Sequence, residues 1–300
     1  MPLLAAEAAK LSIEDRQRGV IEELIDREEL FALLPFTRVD DETYSYVREN
    51  TAAQGAFFDA YEDLEESAST FTPVSTKLKR FGAQVDVDNF MWRVQSSLND
   101  QRAIQVAQKV KGIGMQFKDA IVNGDTAVNA KGFDGLKKLT PAGQTLIAGA
   151  NGGALSLAAL DELKDAVKLG ADFLMMRQGT WRALRALNRA MGGNTADHIM
   201  LDNFGYPMKA YDGTPVIIND YLPIDEVQGT ALATTSIYAM RVNEADGFHG
   251  IYGGDSAGFE ITDLGVLEKK DASRTRIIWY VGAALKATHS VARLKGLTNV

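Results

Sequence analysis

The alternation of apolar and polar positions changes period several times along the chain. Residues 12–33, SIEDRQRGVIEELIDREELFAL, set Ile13, Val20, Ile21, Leu24, Leu30 and Phe31 on a roughly helical stripe. Ser12 is a suitable N-cap and Pro35 stops the run. A helix this charged reads either as a peripheral helix or as an arm that docks on a neighbouring subunit. Residues 36–50, FTRVDDETYSYVREN, then switch to the alternation of a strand.

The stretch 70–90, TFTPVSTKLKRFGAQVDVDNF, also reads as extended. Val74 and Leu78 fall on one face, and Phe81, Ala83, Val85 and Val87 on the other. That change of phase near Lys79–Arg80 predicts a bulge or bend. Residues 37–89 thus read as one long hairpin with an irregular tip. The tip carries Gly55, Phe57, Phe58, Tyr61 and an acidic run that includes Glu65 and Glu66. Fully extended, the return strand reaches roughly 55 Å. A compact globule of 300 residues is only about 50 Å across. The second half of the strand is expected to anchor in a core and the first half to project. An isolated hairpin is marginal in water, so the projecting part needs a partner, and the natural candidate is another copy of the chain. A solvated loop accounts for the acidic run, but the aromatics exceed what a free loop needs.

Residues 97–122 give the clearest helix, with Ile104, Ala107, Val110, Ile113, Gly114, Phe117 and Ile121 at helical spacing. Asn99 or Asp100 can cap it and Asn123-Gly124 ends it. Its length, about 36 Å, makes it a beam across a domain. After a glycine-punctuated connection over 123–143 come a helix (155–170), a short buried strand (171–176) and a helix closed by Gly192-Gly193 (179–193). Two short strands flank Asp212-Gly213, a hairpin signal, and more strands follow within 234–265. The segment 274–297 is apolar on both faces around Ile277 to Leu285, as expected of a central strand. The whole predicts an α+β fold with one projecting hairpin.

Composition narrows the function. The 46% hydrophobic and 24% charged fractions are those of an ordinary soluble globule. No run of apolar residues is long enough for a transmembrane helix, and MPLLAAEAAKLS lacks the features of a signal peptide. The chain has no cysteine, which removes disulfides and thiolate chemistry and suits a reducing cytoplasm. A net charge of −8 argues against gripping nucleic acid over a broad surface.

Candidate chemistry is sparse. GDSAG at 254–258 matches G-x-S-x-G, with Asp263 or Asp271 and then His289 following Ser256 in hydrolase order. A nucleophile elbow needs a helix after it, whereas Phe259-Glu260-Ile261-Thr262 alternates like a strand, so the motif reads as a turn between strands. His198, His249 and His289 have no metal-ligand spacing. Asp86 and Asp88 share a strand face, where capping or a basic neighbour explains them more simply than a cation. Trp181, Arg182, Arg185 and Arg189 form a basic helix face, read as solvated or as an intersubunit ion-pair row rather than a nucleic-acid site. No catalytic set, cofactor or metal is expected.

The order of these elements resembles the major capsid protein of tailed bacteriophages over nearly the whole chain. LLPF (33–36) is similar to that family's entry into its long hairpin, the E-loop. DVDNF (86–90) leads into the spine helix of its peripheral (P) domain, and NGD (123–125) followed by FDGLKKL (133–139) is the most specific element. GTPVIINDYLP (213–223) resembles its axial (A) domain, and WYVGAALKA (279–287) its terminal P-domain strand. The resemblance implies an N-terminal arm (1–36), an E-loop hairpin with its base (37–89) and a spine helix with its connection (90–143). It further implies an A-domain (144–265, with P-domain return strands near its end) and a terminal P-domain strand (266–300). It implies no active site. Copies would form hexamers and pentamers closing into an icosahedral shell around double-stranded DNA, held non-specifically. Such a virion protein would be made and assembled in the host cytoplasm, with no membrane partner. Some relatives begin with a scaffolding region of about a hundred residues. Only some 35 residues precede the hairpin here, which implies a separate scaffolding protein or none. A portal and a decoration protein are further expected partners. An encapsulin-like compartment shares the shell fold and is the alternative. Intersubunit contacts are expected at Phe57, Phe58, Tyr61, Glu65, Glu66, Lys77, Lys79, Arg182, Arg185 and Arg189. Some relatives crosslink a hairpin lysine to a neighbour's asparagine; Lys77 and Lys79 lie in the arm, but no motif identifies a partner and no crosslink is assigned.

Overall fold

The computed structural model describes residues 30, 33–63, 66–89, 99–190, 192, 198–200, 207–254 and 257–298. Most of the helix expected over 12–33 lies outside them, as do Glu65 and Ser256. Among the described residues the strands form three sheets.

The first sheet is organised by one long strand. β14 (Ala272–Leu285) takes β4 (Lys79–Asp88) along one edge, from Val281 opposite Lys79 to Ala272 opposite Asp88. Its other edge is shared end to end. β12 (Phe248–Gly253) pairs Tyr280–Leu285, and β13 (Glu260–Val266) pairs Ser273–Ile278. β1 (Phe36–Arg38) adds in parallel to β12. The chain therefore leaves this edge at Gly253 and re-enters it at Glu260. Gly254, Ala257 and Gly258 of the GDSAG motif fall between these two in-line strands, and β13, not a helix, follows them. Trp279 Nε1 donates to Ala257 O at 3.2 Å and pins that excursion.

α1 (Asn99–Asn123) crosses this sheet with Val110, Ile113, Phe117 and Ile121 buried, the stripe its periodicity predicts. At 25 residues it is about 37 Å long. Phe117 lies 4.5 Å from Trp279 and 5.8 Å from Phe133 between ring centroids. Phe36 and Phe259 pack on the same tryptophan at 5.9 and 4.8 Å. These rings form the centre of the core under α1.

The connection after α1 is held backbone to backbone. Gly135 N–H donates to Gly124 O at 2.8 Å. A Cβ on Gly135 would stand 2.6 Å from Ala120 O and 2.8 Å from Gly124 N, and one on Gly124 would stand 2.4 Å from Phe133 O. Only hydrogen fits at either place. That close approach is the physical reason for glycine in both NGD and FDGLKKL. Lys138, on the short helix α2 (Leu136–Leu139), ties the loop shut through Asp125 at 2.5 Å and Asp134 at 3.2 Å.

The second sheet runs β5 (Thr145–Ile147), β15 (Val291–Leu297), β11 (Ala231–Met240), β6 (Phe173–Met176), β9 (Thr214–Ile218), β8 (Pro207–Tyr211), β7 (His198–Met200). β10 (Glu226–Gln228) pairs with β11. α3 (Leu157–Ala166) and α4 (Gln178–Ala190) cover one face. Ser156 caps α3 by accepting from Ala159 N–H at 3.2 Å. Leu174 and Met176 join Leu160, Leu163, Trp181 and Leu184 on that side. Phe173 and Met175 point the other way, into the cluster shared with α1 and the first sheet. Period-two alternation with both faces buried explains why β6 reads as continuously apolar. Asp212 and Gly213, with φ of 45° and 72°, make the expected tight turn between β8 and β9.

One expectation needs correction. The segment 266–300 is not a single terminal strand of one sheet. β14 ends at Leu285, a 3₁₀ turn follows over Thr288–Ser290, and β15 enters the second sheet. The turn is fixed by Asp246 O, which accepts from Ala287 N–H at 3.0 Å and Ser290 Oγ at 2.7 Å. The two apolar runs look continuous in sequence because each strand is central to its own sheet.

Candidate assembly surface

The hairpin forms the third sheet, β2 (Thr43–Thr51) paired with β3 (Thr70–Lys77). Its strands are shorter than 37–89 suggests, because β1 and β4 belong to the first sheet. The break between β3 and β4 falls at Leu78, whose N–H donates to Glu42 O at 2.9 Å. The phase change in the sequence marks this point, one residue from where it was expected. Beyond it Phe81, Ala83 and Val85 turn inward, while Gly82, Gln84 and Asp86 face out.

β2 alternates strictly. Tyr44, Tyr46 and Arg48 are half-buried, whereas Ser45, Val47 and Glu49 are exposed. The inner row clamps the end of β14. Tyr46 OH donates to Leu285 O at 2.5 Å, Arg48 Nη2 donates to the same oxygen at 2.8 Å, and Arg48 Nε donates to Lys286 O at 2.8 Å. Burial pushes the Tyr46 hydroxyl above its usual pKa, so it stays a donor. Lys286 Nζ sits 5.7 Å from the Tyr44 ring centre. This clamp was not anticipated from sequence, although an aromatic–aromatic–arginine row at period two was its visible signal.

Among the described residues the outer row meets no other element of the chain. Val47 and Phe71 are exposed to 67% and 62%, and Glu49 and Phe71 are directly opposed across the pair. In the tip Phe57 and Tyr61 are fully exposed and Phe58 largely so, while Tyr61 also holds a left-handed backbone with φ 71°. A non-glycine residue in that region is uncommon. The tip is nevertheless built rather than slack. Ser69 Oγ accepts from Ala53 N–H at 3.0 Å, Ser67 Oγ accepts from Gln54 N–H at 2.9 Å, and Glu62 accepts from Asp59 N–H at 2.9 Å. An organised loop that presents aromatic rings to solvent is a candidate interaction surface.

The other expected contact residues are distributed. Glu66 is exposed on the tip and Lys77 is exposed at the end of β3. Lys79 instead reaches its own chain, donating to Ala130 O at 2.8 Å. Arg182, Arg185 and Arg189 are exposed on α4, over the second sheet and on a different element from the hairpin. Asp86 is met by Arg274 through a two-pronged pair at 2.6 and 2.7 Å, the basic neighbour that its position suggested. Among the described residues no group of three His, Asp or Glu side chains is placed to hold a metal, and no helix is long and apolar enough to cross a membrane.

The same fold occurs in solved shells. The structure matches an encapsulin, in the holo-SrpI complex from Synechococcus elongatus PCC 7942, with a TM-score of 0.69 at 21% identity over 90% of this chain and 87% of that one. It matches the capsid of a native GTA particle with a TM-score of 0.64 at 15% identity, and a Mycobacterium phage Bobi structure with 0.61 at 14%, each over 89% of both chains. No curated protein sequence gives a significant match. These likenesses establish a shared fold of two joined sheets, a crossing helix and a hairpin; taken with a family match over nearly the whole chain, they make it a shell-forming capsid protein. The model of the phage capsid family matches residues 11–296, and this chain belongs to that family.

Proposed function

We propose that this chain is the major subunit of an icosahedral phage head, assembling as hexamers and pentamers around double-stranded DNA. The observation that carries the reading is the hairpin, whose outer row and aromatic tip are left uncovered by the described residues. In this reading β2, β3 and the tip are the E-loop, lying over the adjacent subunit. The first sheet with α1 is the P domain, and the second sheet with α3 and α4 is the A domain. Interfaces that close by rotation make rings. At about 25 cal/mol per Å² of apolar area, burying even a few hundred Å² per hairpin matters when every subunit repeats it. Phe57, Phe58 and Tyr61 are the anchors, with Glu66 and Lys77 flanking them, and Arg182, Arg185 and Arg189 would face a neighbour across α4. The net charge of −8 suits a shell that holds DNA without adhering to it. A scaffolding protein, a portal and a decoration protein are the further partners this role implies, with assembly in the host cytoplasm.

Electron microscopy of the purified full-length protein tests the reading, alongside a variant in which residues 52–69 are replaced by a short turn. The wild type is expected to form closed shells and the variant to remain as folded, unassembled subunits. Full-size shells from the variant would refute the role of the hairpin.

A second reading is a protein compartment that encloses enzymes. It is favoured by the encapsulin match, whose TM-score of 0.69 exceeds the 0.61 of the Bobi match. The contents of particles from the native host separate the two: packaged DNA for a phage head, a cargo protein for a compartment.

A further inference from the structure

His249 lies at the joint between the hairpin and the first sheet. It sits on β12 opposite Ala284 of β14 and is completely buried. Its Nδ1 is 3.4 Å from Gly247 O, and its Nε2 is buried without a hydrogen-bond partner among the described residues. A carbonyl only accepts, so Nδ1 carries the proton and Nε2 is a bare acceptor facing no donor. The Tyr44 ring of β2 packs against the imidazole edge to face, at 5.7 Å and 87°. Tyr44 belongs to the same inner row as Tyr46 and Arg48. The hairpin thus seats directly on a neutral, half-satisfied histidine.

We propose that His249 is a proton-operated latch for the hairpin: neutral, it lets β2 seat on the first sheet, and protonated, it drives β2 off. A proton on Nε2 would create a buried cation with a donor that has no acceptor. The charged groups around it do not relieve this. Lys286, whose ammonium lies 5.7 Å from the centre of the Tyr44 ring, repels it. From β2, Arg48 adds a second cation at the same joint. Glu244 in the loop before β12 is the acidic group whose charge favours protonation. Asp246 in that loop is already engaged by Asn243 and Arg241, which hold its carboxyl below the usual range. Glu42 precedes β2 and is exposed. Burial outweighs the help from Gly247 O and Glu244, and the imidazole lies below its ordinary value of 6.5 while the hairpin is seated. When β2 lifts, the Tyr44 cover leaves the ring, and the part of the penalty that this cover imposes is removed.

The direction follows from linkage. Above pH 6.5 neither form binds the proton and seating is at full strength. As pH falls below that value the lifted form binds it first. Seating then weakens, by at most about tenfold per pH unit for one proton, until the seated form's own pKa is reached. The latch belongs to the single chain, so its failure would leave the shell assignment standing.

Amide hydrogen exchange on the full-length protein, read by mass spectrometry and corrected for the intrinsic pH dependence, tests it. Peptides covering β2 and β3 are expected to lose protection as the pH falls below 6.5, by at most about tenfold per unit for a single proton, while those of β11 and β14 keep theirs. His249→Phe retains a packed ring but cannot titrate, and its hairpin protection should not change with pH. Hairpin protection independent of pH in the wild type, or the same fall in His249→Phe, would overturn the proposal. Should His249→Phe not fold, imidazole C2–H exchange of the wild type gives the His249 midpoint directly. A midpoint at or above 6.5 overturns the latch, and one below it supports it.

Discussion

Arg48→Met isolates the clamp that holds the hairpin to the body. Methionine keeps the apolar stem but removes both guanidinium bonds, Nη2 to Leu285 O and Nε to Lys286 O, each 2.8 Å. Hydrogen bonds to charged donors contribute about 1.5–3 kcal/mol each when buried. The site is only half-buried and Tyr46 still serves Leu285 O, so water recovers part of the loss. We therefore expect about 2 kcal/mol off the seating equilibrium, roughly a 30-fold rise in the lifted population. The effect should be local. β4 stays paired with β14 along ten registered positions whether or not β2 is seated, so global unfolding should barely move. Amide exchange is the assay: β2 and β3 should lose about 30-fold protection, with β4 and β14 unchanged. Tyr46→Phe in the same background measures the coupling through the shared oxygen. Unchanged hairpin protection would show that the ribbon is held by something other than this clamp. A uniform loss over all sheets would show that hairpin and body unfold as one unit.

Other consequences follow from the same geometry. Gly135→Ala forces a Cβ against Ala120 O, Ile121 O and Gly124 N, and should cost about 3 kcal/mol in urea denaturation; Gly132→Ala, whose nearest neighbour would be Asn129 O at 3.4 Å, is the near-neutral control. Arg293→Met removes the guanidinium that meets the buried Glu226 carboxylate at 2.5 Å, but leaves it Lys137 at 3.5 Å and the Ser236 hydroxyl. It should cost about 2–3 kcal/mol, below the full penalty of an unpaired buried charge, and part of that should be regained when Glu226→Leu is added. The Arg274 bond holds the Asp86 carboxyl below its ordinary 3.8, and the Lys138 bond does the same for Asp125. Their contribution to stability is therefore complete above that pH and drains away as the pH falls further, so Arg274→Gln should make the acid-unfolding curve shallower. Phe57→Ser with Phe58→Ser should leave urea stability unchanged, since both side chains are exposed, yet abolish shell formation seen by light scattering.

Much of the fold was legible in the order of residues because it depends on local periodicity. The α1 stripe from Val110 to Ile121, the β8–β9 turn at Asp212-Gly213 and the phase break beside Leu78 are each written within a few positions. The two glycines at 124 and 135 were visible as a motif, although their reason, a contact of bare backbones, appears only when the segments are stacked. The exposure of the aromatic tip was legible because nothing in its own segment could cover it.

Other features were settled only by long-range geometry. Leu285 and Lys286 lie more than 230 residues from Tyr46 and Arg48, and no period links them. The end of the chain reads as one apolar run, yet it divides between two sheets because Asp246 turns it at Ser290. His249 reads as one of three isolated histidines, and its burial under Tyr44 makes it a joint. Sequence by itself determined which segments are helix, strand and projecting ribbon, because those choices are made by neighbours along the chain. Tertiary structure alone decided which carbonyls receive the ribbon and which imidazole lies beneath it, because those partners are brought together only when the sheets close.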